Sequence, residues 1–285
     1  MLTTPFQRHD REFLDFLYCY PVISRRSQGL SIGINLSRRK ECNFDCPYCQ
    51  IDRDDIKKST NEIDLDILKK EILSLITSTL SEELFSHPRF EGTEEYYKIL
   101  RDISLSGDGE PTTSKYFIKV SEIVLQIIRE YRDKEILIKP IVITNGSMLH
   151  KDAISSILIE MKELDGGAWV KLDAGTEEEF QLVAESKISY STIIDNILQF
   201  SKKTPITLQT ILFYDKNGNE SFSTQNMINR LKDLLSKGSQ IEYIQLYTLA
   251  RSTKIKDLKP VPKIRLEEIK SLISKETNIK IGVYP

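Results

Sequence analysis

The sequence predicts an α/β fold, a partial (β/α)6-type TIM barrel, and three observations carry that prediction. Short β-branched runs alternate with stretches that repeat apolar residues at helical spacing, the pattern of βαβ units around a parallel sheet. The chain's 285 residues, 40% of them hydrophobic, suffice for one barrel-sized core. The turns richest in cysteine, glycine and acid follow predicted strands, which is the end of such a barrel where sites are built.

The elements follow in order. Residues 1–29 read as an N-terminal extension and 30–285 as the barrel domain. Leu30–Leu36 is the first predicted strand and runs into a cysteine loop. After the charged connection Asp52–Asn61, Leu65, Leu68, Ile72 and Leu75 recur at helical spacing. Ser81–Glu95 is less regular and reads as an insertion or linker. A strand at Ile103–Leu105 and a glycine-rich turn, Ser106–Pro111, precede a helix with Phe117, Val120, Val124, Ile127, Ile128 and Tyr131 on one side. Ile138–Thr144 is a strand closed by Asn145-Gly146, Ile154–Leu164 a helix and Ala168–Leu172 a strand. Ser191–Phe200 is helical, Ile206–Phe213 a strand, and Met227–Leu235 a helix with Gly238 as its stop. Strand Ile241–Tyr247, helix Leu266–Ile273 and strand Ile279–Tyr284 complete the pattern.

Composition excludes several classes. A net charge of −2 gives no strong basic field for nucleic acid or membrane, although a local basic patch survives a neutral total. Four cysteines, three of them clustered, make no disulfide framework. No apolar run approaches the ~18 residues of a membrane span. The first residues, MLTTPFQRHDREFL, carry charges where a signal peptide needs an apolar core. The expectation is a soluble cytoplasmic protein with no membrane partner.

The cysteine run ECNFDCPYCQIDR carries the chemistry. Cys42, Cys46 and Cys49 converge on one metal centre only from a loop, because Pro47 disrupts a helix there. A 4Fe–4S cube usually takes four cysteines, so three leave one iron open to a small molecule. The alternatives are a structural zinc site, which wants four protein ligands, and a coincidental trio of buried thiols. For zinc, only Cys19, His9, His87 and His150 remain as further cysteine or histidine ligands, and none lies in a knuckle-like pair.

Further candidates lie in turns after strands. In Leu105-Ser106-Gly107-Asp108-Gly109-Glu110-Pro111-Thr112, glycines permit close backbone approach and Glu110 is an acceptor for an ammonium group; alternatively this is an ordinary turn with a solvated carboxylate. Asp173 is placed to accept from a ribose hydroxyl or to orient Lys171, or the two form a structural salt bridge. Gln209, inside an apolar strand, needs a partner or a ligand. Trp169 reads as core, and Lys57-Lys58 and Lys202-Lys203 as surface charge. Arg25, Arg26, Arg38, Arg39 and Lys40 are either a solvated rim or a contact for RNA phosphates or an acidic reductase face. Arg251 is placed to hold a substrate carboxylate or phosphate.

The cysteine spacing, the Gly109-Glu110-Pro111 segment, Pro21–Arg26, Gly33–Leu36, Val170–Ala174 and Gln245–Arg251 together resemble the radical S-adenosylmethionine (radical SAM) superfamily. Within it they are most similar to the group related to the wybutosine-synthesis (tRNA) enzymes, over Pro21 to Arg251. The resemblance implies one 4Fe–4S cluster on Cys42, Cys46 and Cys49, with SAM chelating the open iron. It implies that Glu110, with Gly107 and Gly109, receives the SAM amino group, that Asn145 lies near SAM and that Tyr48 packs beside the adenine. It implies reductive cleavage to a 5′-deoxyadenosyl radical, which takes hydrogen from a substrate, RNA or a partner protein. An external flavodoxin- or ferredoxin-type donor would supply the electron. The tRNA enzyme of that group uses pyruvate and further cluster cysteines, whereas this chain has only Cys19 outside the triad. The competing class is a non-catalytic iron–sulfur electron carrier or sensor.

Overall fold

The computed structural model describes residues 12–51, 53 and 62–285, so the predicted connection Asp52–Asn61, apart from Arg53, lies outside the described residues, Lys57-Lys58 included. The architecture is the expected α/β, partial (β/α)6 type. The chain divides into two compact units, Met1–Glu41, Ile56–Ile143 and Glu160–Gly167 in the first, and Cys42–Asp55, Thr144–Ile159 and Ala168–Pro285 in the second.

In the first unit β1 (Cys19–Ser24) runs antiparallel to β2 (Gly29–Ile34), which pairs in parallel with β3 (Leu100–Leu105), and β3 with β4 (Lys139–Thr144). Helix α1 (Leu65–Leu80) starts where the Asp64 carboxylate accepts from Asp66 N and Ile67 N. Helix α2 (Phe117–Arg132) buries Val120, Val124, Ile127 and Ile128 completely, each contributing about 1.5–3 kcal/mol. The irregular stretch after α1 is three short 3₁₀ turns, Glu83–Ser86, Pro88–Phe90 and Glu95–Tyr97. Strand β1 lies in what the sequence assigns to the N-terminal extension. Pro21 argues against a strand by itself, but β1 ends the sheet order, where a missing ladder donor is tolerated.

Helix α3 (Asp152–Glu163) and strand β5 (Gly167–Lys171) follow in the chain. The second unit continues with α4 (Glu177–Ala184), α5 (Tyr190–Ser201), β6 (Ile206–Ile211), β7 (Phe213–Tyr214), α6 (Thr224–Ser236), β8 (Ile241–Tyr247), β9 (Lys259–Pro260), α7 (Lys263–Thr277) and β10 (Lys280–Tyr284). Its main strands lie in the order β5-β6-β8-β10, all parallel, and β7 pairs with β9. Helix α7 packs on β8, β10 and α6, and one sheet face (Val170, Leu208, Ile244, Leu246) is at most 2% exposed. The opposite face carries Lys171, Gln209, Gln245 and Tyr247, so only one side is apolar core. Helix α4 escapes the sequence pattern because its first turn is three glutamates; Thr176 Oγ1 accepts from Glu179 N and acid suits that helix end. Gly146 and Gly238 have φ of +80° and +92°, which fits the turn and the helix stop read from the sequence. Among the described residues no helix is long and apolar enough to cross a membrane.

One buried acid in the first unit gives a pH prediction. Asp102 on β3 is 2% exposed, accepts from Ser31 Oγ at 2.5 Å, and burial pushes its pKa up to about 6 from 3.8. The folded state therefore holds the extra proton between those values, and stability falls as pH rises through that window, by roughly 3 kcal/mol in total. Asp102→Asn removes that slope. Urea midpoints at pH 4 and pH 7 should move apart between variant and wild type, and parallel curves would contradict the assignment.

Candidate active site

In the second unit the cysteine loop is pinned by backbone. Cys49 N donates to Cys46 O (2.9 Å), Asp45 N to Ala184 O (3.1 Å), and Lys254 N to Cys49 O (2.8 Å). Side chains add to this: Lys254 Nζ meets Asp45 Oδ2 at 2.6 Å, Arg251 Nη1 donates to Gln50 Oε1 at 3.0 Å, and Phe44 packs edge-on to Phe180. Arg251 thus reaches the cysteine loop, a contact the sequence does not reveal. Cys42, Cys46 and Cys49 form no disulfide and are half-buried. Burial pushes the Cys46 thiol up to about 12, and Arg53 Nη2 donates to Cys49 Sγ at 3.5 Å.

Three soft thiols on one fixed loop are a donor set that fits an iron–sulfur cluster with one open iron. Among the described residues no three His, Cys, Asp or Glu side chains already form a metal cage. Cys19, the remaining cysteine, is buried in the first unit beside Leu68 O, and burial and Glu71 raise its pKa well above the ordinary value. It is packed as a core thiol.

Asn145 is buried at the end of β4. Its Nδ2 donates to Asn43 Oδ1 (2.8 Å), its Oδ1 accepts from Ser147 N (3.0 Å), and Asn43 Nδ2 donates to Ser147 Oγ (2.8 Å). This ties the cysteine loop to the turn after β4. Tyr48 donates to Asp173 Oδ2 at 2.6 Å and faces Phe213, and Asp173 Oδ1 accepts from Ile211 N at 2.8 Å. Lys171 Nζ sits 3.1 Å from Asp173 Oδ2, hydrogen-bonds Tyr247 Oη, and lies over both the Tyr48 and Tyr247 rings. Burial alone would lower the Lys171 pKa, but Asp173 and Tyr247 outweigh it and hold it above the ordinary value. Burial, then Asp173 and Cys46, push the Tyr48 hydroxyl well up. Lys171 and Asp173 do form the ion pair considered from the sequence, inside a polar cluster that also takes in Tyr48 and Tyr247.

In the first unit the glycine turn follows β3. Neither Gly107 nor Gly109 has positive φ, so neither is there for a left-handed turn. A Cβ on Gly109 would fall on the Glu41 carbonyl oxygen, and one on Gly107 on Asn35 Oδ1. The glycines thus admit close approach, here by the chain segment that precedes Cys42. Asn35 Oδ1 accepts from Asp108 N (3.1 Å) and Ser37 N (3.0 Å), and its Nδ2 donates to Asp108 Oδ2 (2.7 Å). Glu110 is buried rather than solvated; its Oε1 caps the 3₁₀ turn Pro111–Thr113 by accepting from Thr112 N (3.1 Å) and Thr112 Oγ1 (2.5 Å). In the basic stretch, Arg38 lies over the Tyr18 ring and Arg39 pairs with Glu41, while burial and Arg26 lower the Arg25 pKa.

No family model matches the chain. A GTPase Obg of Brachyspira hyodysenteriae is 26% identical over 92% of this chain, which spans about a third (34%) of that relative. A UPF0026 protein of Helicobacter pylori strain J99 is 24% identical over 87% of this chain and 70% of its own length. A solved structure of TYW1 with a lysine–pyruvate adduct bound superposes with a TM-score of 0.52 at 15% identity, covering 89% of this chain and 75% of that one. The chain therefore shares the fold of TYW1, the wybutosine-synthesis radical SAM enzyme whose group its motifs resemble.

Proposed function

We propose that this chain is a cytoplasmic radical SAM enzyme with one 4Fe–4S cluster held by Cys42, Cys46 and Cys49. The observation that carries this reading is the triad itself, three thiols on a loop fixed through the backbone of Asp45 and Cys49. When bound, the cluster supplies the electron that cleaves SAM to a 5′-deoxyadenosyl radical, which abstracts hydrogen from an RNA or protein substrate. The chain's residues bind and orient. Glu110 receives the SAM ammonium, and Gly107 and Gly109 let backbone come close to it. Tyr48, Asn145, Lys171 and Asp173 line the nucleoside side, with Gln209 as an interior polar contact. Lys171, held as an ammonium by Asp173, is arranged as a cation and hydrogen-bond donor. The lysine–pyruvate adduct of the TYW1 structure is a feature of that protein and is not carried to Lys171. Nor does the GTPase name of the Brachyspira relative carry over, since the chain contains no G-x-x-x-x-G-K-Ser/Thr segment. The electron comes from a flavodoxin- or ferredoxin-type donor.

A SAM titration of the anaerobically reconstituted, dithionite-reduced protein tests this reading. An enzyme shows a shifted cluster electron-paramagnetic-resonance signal that saturates with SAM. A cluster whose signal ignores SAM indicates the electron carrier instead.

A further inference from the structure

Tyr48 stands in the cysteine loop between Cys46 and Cys49, and its hydroxyl reaches out of the loop to the carboxylate that follows β5. Asp173 holds three partners there: Tyr48 Oη at 2.6 Å and Lys171 Nζ at 3.1 Å on Oδ2, and Ile211 N at 2.8 Å on Oδ1. The Lys171 and Asp173 side chains are only 16% and 7% exposed. The Lys171 ammonium lies 5.0 Å from the centre of the Tyr48 ring, so both charges adjoin the loop. Gln209, the neighbour of Lys171 in register on β6, bonds instead to Gln245 at 2.7 Å. Among the described residues Asp173 is the only acid that pairs with Lys171.

That tie has an electrostatic consequence. A carboxylate this enclosed is screened little by solvent, and it repels any electron added beside it. A cation has the opposite effect, and a tight ion pair largely cancels at a distance. Both charges act at the Cys46 sulfur. Burial is the main cause of its raised pKa; below that, the Tyr48 hydrogen bond lowers it, Asp173 raises it and Lys171 lowers it. A charge that resists loss of a proton from a sulfur also resists gain of an electron there.

We infer that Lys171 is the charge-compensating residue of the cluster site: Asp173 anchors the cysteine loop through Tyr48, and Lys171 offsets that carboxylate so that the cluster stays reducible. Charges and hydrogen bonds around an iron–sulfur cluster set its potential. Asp173 alone would hold the loop but lower the potential, and Lys171 alone would raise the potential with no anchor. The ion pair gives the anchor with little net charge. The inference rests on the cluster of the radical SAM reading.

The test is the cluster's midpoint potential, read by electron paramagnetic resonance in a mediated titration of the reconstituted full chain. SAM is left out, so that contacts to it do not enter. Lys171→Met should lower the reduced-to-oxidised ratio at fixed potential about tenfold, a fall of about 59 mV for one electron. The carboxylate left behind keeps Tyr48 and Ile211 N as donors and stays ionised. Asp173→Asn should raise the ratio by a similar factor. The double variant should return near the wild-type value, and Lys171→Arg, which keeps the charge, should match wild type. A merely structural role does not give opposite signs that cancel. Circular dichroism and iron content qualify each variant, and either single shift decides by its sign if the other variant does not load. Shifts of one sign, or midpoints that do not move, overturn the inference. A chain that forms deoxyadenosine with unmoved midpoints loses this inference alone, and the radical SAM reading stands. A triad that takes up no cluster overturns both.

Discussion

Glu71→Ala destabilises the first unit by at least about 3 kcal/mol, a Tm loss of roughly 6–12 °C. Glu71 lies in the apolar stripe of α1, is 6% exposed, and accepts three backbone hydrogen bonds at the entry to β1. Leu17 N reaches Oε1 at 2.7 Å, and Tyr18 N and Cys19 N reach Oε2 at 2.9 Å. Hydrogen bonds to a charged acceptor are worth more than neutral ones, and removing this acceptor strands three donors, two of them fully buried. Glu71→Gln keeps the shape and one acceptor oxygen, so it should cost about half as much. Denaturant melts of both variants check this, with hydrogen exchange at Tyr18 and Cys19 as the local readout. An alanine variant within about 0.5 kcal/mol of wild type would show that the carboxylate is not the clamp.

Gly109→Ala is the second large effect. Its Cβ would meet a backbone carbonyl, Glu41 O, which also accepts from Ser37 Oγ at 2.8 Å and so is not free to give way. The expected result is a loss of roughly 1–3 kcal/mol from forced backbone displacement, and, on the proposed reading, loss of SAM binding. The paired measurement is thermal melting and SAM titration on the same sample. Gly107→Ala should be milder, since it meets the movable Asn35 side chain. Equal SAM affinity in Gly109→Ala and wild type would remove this turn from the cofactor site.

What could be read from the sequence follows physical reach. The cysteine loop was legible because three thiols at fixed short spacing need no tertiary knowledge, and Pro47 alone declares the loop. Helices with a single apolar stripe, such as α2, were equally plain. Glu71 was not, because a buried carboxylate inside a helical stripe looks like an ordinary surface position until its backbone partners, 52–54 residues away, are known. Gln245 and Tyr247 stayed hidden for a related reason: alternation along β8 gives two faces, and only the register with β6 brings Gln245 opposite Gln209. Strand β1 lies within what was read as the N-terminal extension, and its Pro21 is tolerated because β1 ends the sheet order. The turn around Gly109 was recognised, but its glycines looked like room for a ligand. Their first use is room for the chain's own Glu41 and Asn35.

The most direct test of the central claim is detection of 5′-deoxyadenosine from the anaerobically reconstituted protein with dithionite and SAM, beside Cys46→Ala. The expected result is deoxyadenosine from wild type and none from the variant, together with loss of the cluster's visible absorbance in the variant. Tightly bound zinc with no cluster, or deoxyadenosine that persists without Cys46, would contradict it.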